Sequence, residues 1–368
     1  MEFYKGVKNF DHRKSGRIGI LLINLGTPEA PTKEALRPYL KQFLSDPRVI
    51  EISPLKWKLI LNLLVLPFRP KRSAKLYEKV WTPEGSPLLV YSLKQRDALQ
   101  KRLDKISPDT FVVELGMRIG NPSVESALEK LQDRDARRVL ALPLFPQYSG
   151  TTTATCFDAL ADVLKTWRWI PEFRMITSYH DHPDYISALA NTVREHWAAH
   201  GRAEKLLLSF HGIPKRYFDG GDPYFCHCQK TARLLVEKLE LKATDYVVSF
   251  QSLFGREEWL RPYTNETLAA LVKSGLKSVD VICPGFSVDC LETIEEIEEE
   301  NKEVFLHAGG EKYHYIPALN DRGDHIEMML ELVNLHTQGW PRPEATSPET
   351  RVHRVSEVQK AANSGKYF

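Results

Sequence analysis

The feature that most limits the possible folds of this chain is a series of short aliphatic runs separated by longer stretches with a helical pattern. Strands that alternate with amphipathic helices are typical of βαβ units, in which the strands are parallel and buried. The runs of the first half are IGILLINLG at 18–26, TFVVELG at 110–116 and RVLALPLF at 138–145. Those of the second half are FRMITS at 173–178, KLLLSF at 205–210, YVVSFQS at 246–252 and SVDVICPG at 278–285. The pattern predicts an α/β protein with two similar halves.

The length of the chain agrees with two compact units. A chain of 368 residues exceeds the usual size of one domain, so two units that each bury a core are expected. We predict a first domain over 17–169 and a second over 170–321. Two helices have clear signals of their own: Thr32 to Leu44 follows a proline, and Pro183 to His196 carries an apolar stripe.

Charge and composition exclude several classes of protein. The 50 Lys and Arg residues nearly balance 48 Asp and Glu residues, and a net charge of +2 gives no field that would attract nucleic acid. Residues 1–17 contain no apolar core of a signal peptide, and five cysteines are too few for a disulfide framework. We therefore expect a cytoplasmic protein. The longest apolar stretch, 55–68, is interrupted by two lysines and an asparagine and is too short to cross a membrane.

A histidine follows one of the aliphatic runs, at the end of a strand where parallel sheets bind ligands. The run 205–210 leads directly into His211-Gly212-Ile213-Pro214, and a turn-rich segment, DGGDPY, follows at 219–224. A histidine at this position is either a hydrogen-bonded structural residue or a catalytic one. Neutral imidazole can bind a metal or accept a proton, so its neighbours decide between the two roles.

An acidic helix follows the last aliphatic run. Eight carboxylates lie within 289–303, and such a run is ordinarily a solvated helix face. However, Glu292, Glu296 and Glu300 recur every four residues and lie along one side of a helix, where like charges destabilise it by roughly 0.2 to 0.5 kcal/mol per pair. A bound cation would remove this repulsion. Imidazole and carboxylate together suit a divalent first-row metal that is bound and then released.

Two motifs carry a specific family resemblance. The segment LLLSFHGIPKRYFDGGDPY at 206–224 resembles the signature of ferrochelatases, and GFSVDCLETIEEI at 285–297 resembles the second active-site motif of that family. Further segments are similar to family segments in the same order: ILLINLGTPEAPT at 20–32, PLFPQYSGTTTAT at 143–155, FQSLFGREEWL at 250–260 and HAGGEKYHYIPALND at 307–321. Several motifs in register are far more specific than one. The chain resembles ferrochelatases of the bacterial type from residue 17 to residue 340.

The resemblance implies an architecture. Ferrochelatases have two Rossmann-like domains, each a parallel four-stranded sheet flanked by helices, and the porphyrin binds in the cleft between them. A C-terminal helix, expected here over 322–340, packs back on the first domain. The segment 341–368 is polar and lacks an apolar period, so we expect a mobile tail.

The resemblance also implies roles for individual residues. By motif position, His211 and Glu292 are the catalytic pair and bind iron, and Glu296 and Glu300 continue as metal-binding carboxylates toward solvent. Five other residues match positions that line the porphyrin pocket of the family: Leu25, Arg118, Thr151, Ser252 and Trp259. The implied reaction inserts Fe(II) into protoporphyrin IX, with release of two protons, as the terminal step of haem biosynthesis. Bending the macrocycle would turn its nitrogens toward the metal.

Cofactors and partners follow from the same resemblance. Fe(II) is a substrate, and no tightly bound cofactor is expected. In animal-type members three ligands of an iron–sulfur cluster lie in the C-terminal tail, but here no cysteine follows Cys290, so no cluster is expected. The apolar and basic segment 55–72 resembles the apolar lip of the family and suggests peripheral contact with a membrane, although a buried helix fits the same pattern.

Two alternative functions remain open. One is a related chelatase that acts on another metal or tetrapyrrole, such as a cobalt chelatase or a coproporphyrin ferrochelatase, because a histidine and a glutamate do not specify the metal. The other is a haem- or metal-binding module without turnover, because many binding proteins also hold ligands between two α/β domains. Metalloporphyrin formed in excess of protein would exclude the binding module.

Overall fold

Two four-stranded parallel sheets form the framework of the protein, which confirms the predicted fold class. This computed structural model describes residues 3–7, 16–255, 257–342, 356 and 360. The first sheet consists of β1 (Arg17–Gly26), β2 (Phe111–Ile119), β3 (Ala136–Pro143) and β4 (Glu172–Met175). The second consists of β5 (Lys205–His211), β6 (Tyr246–Gln251), β7 (Ser278–Ile282) and β8 (Lys312–Ile316). The strand orders, β2-β1-β3-β4 and β6-β5-β7-β8, show that both sheets have the same connectivity.

The strand order reverses beside the first strand of each sheet. In the first sheet β2 and β3 lie on either side of β1, and in the second sheet β6 and β7 lie on either side of β5. At such a reversal the connections leave toward opposite faces, which opens a crevice at the carboxyl ends of the strands. The loops after β5 and β7 therefore begin at the crevice of the second sheet.

Helices connect the strands and cover the sheets. In chain order they are α1 (Lys33–Leu44), α2 (Pro54–Ile60), α3 (Arg69–Val80), α4 (Pro87–Ile106), α5 (Val124–Asp133), α6 (Thr153–Leu164), α7 (Pro183–His200), α8 (Lys215–Asp219), α9 (Tyr224–Lys238), α10 (Thr264–Lys273), α11 (Asn301–His307) and α12 (Gly323–His336). Two segments have the wider π-helical hydrogen bonding, π1 (Leu61–Val65) and π2 (Glu292–Glu300). The two helices with clear sequence signals are α1, where the Thr32 hydroxyl accepts a hydrogen bond from the Ala35 N–H, and α7.

One hydrophobic cluster extends through both halves of the molecule. It contains buried side chains of β1, such as Leu22, and of β5, such as Phe210. Helices α4, α7, α9 and α12 contribute to the same cluster. The two sheets therefore share a core.

The predicted boundary at residue 169 comes too early. Strand β4, within the run assigned from sequence to the second half, pairs with β3, with Phe173 opposite Val139. The first sheet therefore extends to Met175. Of the predicted tail over 341–368, all but residues 341, 342, 356 and 360 lies outside the described residues.

The C-terminal helix expected over 322–340 is α12, and it contacts both halves. Glu327 of α12 forms an ion pair of 2.9 Å with Arg102 of α4. Arg322, at the start of α12, forms one of 2.6 Å with Glu195 of α7. The helix therefore contacts both the first and the second half.

The segment 55–68 lies on the surface. No residue of α2 is buried, and the side chains of Leu55, Leu63 and Phe68 are 74%, 65% and 72% exposed. Leu61 and Leu66 attach the segment to the core of the first half, but most of its other apolar side chains face outward, so it is not a fully buried helix. Among the described residues, no helix combines the length and hydrophobicity that a membrane span requires.

Candidate active site

His211 is the last residue of β5 and is half-buried at the crevice of the second sheet. Its Nδ1 lies 2.6 Å from the carbonyl oxygen of Gly212. Because a carbonyl can only accept a hydrogen bond, the neutral ring carries its proton on Nδ1 and keeps the lone pair on Nε2. The ring centroids of Trp259 and Phe286 are each 6.4 Å from that of His211. The imidazole is thus oriented by the backbone and flanked by aromatic rings.

Glycine is required directly after His211. A Cβ at Gly212 would lie 2.9 Å from the carbonyl oxygen of Gln251 and 3.2 Å from the ring of Trp259. The first distance is shorter than real Cβ contacts, and the backbone oxygen cannot easily move because it accepts a hydrogen bond of 2.8 Å from the Gly212 N–H. Any side chain here would push Trp259 away from the histidine.

Glu292 begins π2 and is also half-buried. Gln251 fixes its backbone, since the Gln251 amide donates to the Glu292 carbonyl oxygen at 2.9 Å and accepts from the Ser209 hydroxyl at 2.7 Å. Burial raises the pKa of Tyr39 and Tyr77, and the charge of Glu292 raises both further. Both tyrosines belong to helices of the first half, α1 and α3, and Leu291 packs against the cluster that contains them, so the start of π2 lies against the first half.

Glu296 is one helical turn beyond Glu292, and Ser252 holds its carboxylate. The Ser252 N–H donates to Oε1 at 2.7 Å and the Ser252 hydroxyl donates to Oε2 at 2.5 Å. Burial raises the pKa of Glu296, while the hydrogen bonds from Ser252 and the nearby His211 imidazole lower it. Ser252 has a φ of +69°, a left-handed conformation uncommon for a residue other than glycine. This conformation directs its N–H and hydroxyl to the same carboxylate.

The glutamates in the first half of π2 are buried or partly buried, and those at its end are exposed. Glu296 is partly buried, whereas Glu300 is exposed at the end of π2. The intervening Glu295 is buried and binds Lys79 of α3 at 2.9 Å, which connects π2 to the first half. The row Glu292, Glu296 and Glu300 therefore leads from the cleft to the surface.

The five residues expected to line the porphyrin pocket have different surroundings. Trp259 and Ser252 lie at the His211 site, and Leu25 packs in the same cluster as Leu291, the neighbour of Glu292. The Arg118 guanidinium instead pairs with the buried carboxylate of Asp46. The Thr151 hydroxyl contacts that of Ser149, which donates to Asp222. No contact described for Arg118 or Thr151 connects either residue to His211 or Glu292.

Several residues at this site were not predicted from the sequence. Tyr39 and Tyr77 are ordinary members of amphipathic helices, and Gln251 ends a strand without any motif of its own. Asp289 was only counted among the carboxylates of the acidic run. It is buried and accepts hydrogen bonds from Tyr315 at 2.6 Å and from the Asn320 amide at 2.7 Å, so it anchors the loop before Glu292. The sequence signal for this role is that Asp289 comes before the acidic helix begins, unlike the other carboxylates of the run.

The arrangement combines a lone pair, an anion and apolar walls. His211 offers Nε2 and Glu292 offers a carboxylate, and both lie near enough to Glu296 to affect its pKa, which His211 lowers and Glu292 raises. Such a pair can bind a divalent metal and can accept protons. The rings of Trp259 and Phe286 supply a surface for a flat apolar ligand.

Comparison with known proteins gives consistent results. The family model described as Ferrochelatase matches residues 17–337. The Ferrochelatase of Idiomarina loihiensis is 53% identical over 357 residues, which cover 97% of this chain and 98% of that protein. The Ferrochelatase of Nitrosococcus oceani is 54% identical over 337 residues, which cover 92% and 91%.

Solved structures support the fold alone, because their sequences are distant. SirB from Bacillus subtilis with Fe3+ aligns with a TM-score of 0.52 at 11% identity over 89% of this chain and 100% of that one. DR2241 from Deinococcus radiodurans, described as structurally similar to chelatases, aligns with a TM-score of 0.51 at 12% identity over 86% of this chain and 55% of that one. The family match and the identities of over 50% along nearly the whole chain show that the protein belongs to the ferrochelatase family and is a metal chelatase.

Proposed function

We propose that the protein inserts Fe(II) into protoporphyrin IX to give protohaem and two protons, the terminal step of haem biosynthesis. The observation that carries this proposal is the orientation of His211 at the crevice of the second sheet, where Nδ1 faces the Gly212 carbonyl oxygen and the Nε2 lone pair is left available. Membership of the ferrochelatase family supports the choice of iron and porphyrin as substrates.

In this mechanism His211 and Glu292 first hold Fe(II) and then take up protons. Insertion exchanges one divalent ion for two pyrrole protons. When the metal leaves His211 Nε2 and the Glu292 carboxylate, both groups regain the capacity to accept a proton. The number of acceptors therefore equals the number of protons that the porphyrin loses.

The porphyrin must also be bent, because a flat macrocycle shields its nitrogens from the metal. Contacts with Trp259 and Leu25, away from the reacting nitrogens, would use binding energy to hold the bent form. Trp259 is well suited to this role because the backbone on both sides of it is tied to the His211 loop, through Pro214 and the Ile213 carbonyl oxygen.

The direct test is turnover. The metal-free protein is incubated anaerobically with protoporphyrin IX and excess Fe(II), and metalloporphyrin is followed by absorbance. Product well in excess of protein is expected, whereas at most one equivalent would show a binding module instead. Parallel reactions with coproporphyrin, and with Co(II) in place of Fe(II), compare the alternative substrates; a higher kcat/KM for either would overturn the assignment.

We propose further that no iron–sulfur cluster or other resident cofactor takes part. Such clusters require four thiolates around one centre. The four buried cysteines are spread over three hydrophobic clusters: Cys156 lies in the core of the first sheet, Cys283 lies on one face of the second sheet, and Cys228 and Cys290 belong to the cluster shared by both sheets. Acid-labile sulfide in the anaerobically purified protein would contradict this proposal.

The carboxylate of Glu296 is proposed to deliver iron or protons rather than to contact the porphyrin. Glu296→Gln keeps the shape but removes the charge. Its amide oxygen can still accept from the Ser252 N–H, while the Ser252 hydroxyl changes from donor to acceptor toward the amide nitrogen. We expect a several-fold lower rate at limiting Fe(II) and an unchanged porphyrin Kd. We also expect a slightly higher Tm, because the substitution removes a largely buried negative charge that is repelled by Glu292. The measurement is the iron dependence of initial rates, with thermal unfolding of the same preparation.

Glu299→Gln is the matched control for Glu296→Gln. Glu299 lies on the same π2 segment but is exposed and pairs with Lys79 at 3.3 Å. The Glu299→Gln substitution should leave the iron dependence of the rate unchanged. Equal effects of the two substitutions would indicate general electrostatics, and normal iron kinetics of Glu296→Gln would remove Glu296 from the mechanism.

We also propose that the protein is cytoplasmic and that the segment 55–72 rests on a membrane surface. Its outward side chains are apolar, and Lys56, Lys58, Lys71 and Arg72 are exposed around them. An apolar face with a basic rim is typical of peripheral contact with anionic lipids. Such a contact would bring an apolar porphyrin from the bilayer to the cleft.

The membrane proposal predicts that the protein cosediments with vesicles of mixed neutral and anionic phospholipid. Replacing Leu63 and Leu64 with glutamate should weaken vesicle binding by about tenfold or more. The substitution removes two side chains that would insert into the bilayer and adds negative charges that anionic lipids repel. Ile106→Glu, an equally exposed position on α4, is the control and should bind normally. Wild-type binding by the Leu63 and Leu64 variant would refute the assignment.

A further inference from the structure

A second group of potential metal ligands lies away from the His211 site. It consists of His196 near the end of α7, Asp280 of β7 and His314 of β8. Asp280 pairs in register with His314 and, on its other side, with Leu206 near the start of β5. His211 is five residues farther along β5, which at the rise of a strand corresponds to about 17 Å. The group therefore belongs to the opposite half of the strands from the chelation site.

The spacing of the three ligand atoms is close to that of a tetrahedral site. His314 Nδ1 lies 3.1 Å from Asp280 Oδ1, and His196 Nε2 lies 3.5 Å from the same oxygen. Metal–ligand bonds of about 2.0 to 2.2 Å place tetrahedral ligands about 3.4 Å apart. All three atoms lie within 4.8 Å of one another. Only the distance between the two imidazole nitrogens must therefore shorten when a metal binds.

The carboxylate of Asp280 is held so that one oxygen faces the imidazoles. Its Oδ2 accepts hydrogen bonds from the Trp197 indole at 2.8 Å and from the Ala203 N–H at 3.0 Å. Both donors lie at the end of α7, so the helix that supplies His196 also orients Asp280. Outer hydrogen bonds of this kind are typical of metal-ligating carboxylates.

His196 has a nitrogen that the protein leaves unpaired. Its side chain is 10% exposed, and Nε2 has no hydrogen-bond partner, because the contact with Asp280 is too long and misaligned. A simple ion pair of Asp280 with His314 would leave this buried nitrogen unexplained.

We propose that His196, Asp280 and His314 form a binding site for a divalent first-row cation, with Zn(II) as the best match. Two imidazole nitrogens and one carboxylate oxygen are a common zinc ligand set, with a fourth position open to solvent. His200 stacks on His196, with ring centroids 4.5 Å apart, and so helps to hold the His196 ring in place. A bound ion would link the end of α7 to the neighbouring strands β7 and β8, away from the proposed chemistry.

The first test measures Zn(II) binding by isothermal titration calorimetry without porphyrin. Because Zn(II) can also bind at His211 and Glu292, the titration uses the His211→Ala variant, which should retain one zinc per chain. Adding His314→Asn or His196→Asn should weaken this binding by at least about tenfold, whereas adding His307→Asn, an exposed histidine on α11, should not. Unchanged affinity in both cluster variants would overturn the proposal.

A second variant separates ligation from packing. Trp197→Phe keeps an aromatic ring but removes the N–H that orients Asp280, so the Zn(II) Kd should rise by about 10- to 100-fold while the stoichiometry stays at one. His314→Asn in the otherwise unchanged protein should form metalloporphyrin at the wild-type rate. A zinc affinity of Trp197→Phe equal to that of the parent, or loss of metalloporphyrin formation in His314→Asn, would contradict a separate, oriented site.

Discussion

Replacing His211 with alanine is expected to lower the rate of iron insertion by about 10²- to 10⁴-fold, the range found when a positioned acid–base group is lost. The side chain ends β5 at the crevice, and its Nε2 is the group proposed to bind the metal and accept a proton. Alanine removes both capacities. Porphyrin affinity should change little, because the rings of Trp259 and Phe286 stay in place. Single-turnover absorbance gives the rate, and fluorescence titration gives the porphyrin Kd.

Stability provides the control for His211→Ala. His211 is only half-buried and its one described hydrogen bond is to the neighbouring Gly212, so the fold does not depend on its side chain. The Tm should stay close to that of the parent, and His307→Ala should retain full activity. If His211→Ala turned over at a near-normal rate while folded and loaded with porphyrin, the catalytic assignment would be wrong.

Replacing Glu292 with glutamine should lower the rate by about 10²-fold or more, because the substitution keeps the shape and removes the charge that pairs with the metal. The Gln251 contact to the Glu292 backbone survives, so the start of π2 should not move. The effect should appear in kcat at saturating porphyrin, and iron binding before chelation should weaken. Steady-state kinetics with each substrate varied separately, together with Fe(II) titration, measure both.

The matched control for Glu292→Gln is Glu303→Gln, on an exposed position of α11 in the same acidic run. This control removes an equal charge without touching the cleft and should be fully active. An unchanged rate for Glu292→Gln would assign Glu292 to a solvated face, which is the ordinary role of an acidic run.

The sequence predicted those parts of the fold that depend on local pattern. Long aliphatic runs such as that of β1 identify buried strands, because both faces of a parallel strand need apolar side chains. Strand β8 lacks this signal, since KYHYI alternates polar and aromatic residues, and it was not among the predicted runs. Strand β4 was recognised within 173–178 but assigned to the wrong half, because a strand pattern does not say which sheet it joins.

The site was predictable where a motif lies at the end of a strand. His211 follows β5 directly, and Glu292 follows the loop after β7, so both were recognisable along the chain. Tyr39 and Tyr77 come close to Glu292 only through packing of helices far away in sequence, and an amphipathic pattern gives them no distinguishing mark. The role of Ser252 as a donor to Glu296 depends on a left-handed backbone conformation that serine rarely adopts.

The hydrophobic cluster that joins the two sheets limits how this molecule can move. Proteins that close by a hinge usually have two lobes with separate interiors and a thin connection between them. Here Leu22 of β1 and Phe210 of β5 belong to one hydrophobic cluster. A rigid-body rotation of the halves would therefore break buried apolar contacts. We therefore expect the macrocycle to enter and the product to leave through local rearrangement at the rim, such as in the exposed segment 55–68. The shared interior also predicts that the two halves stabilise each other.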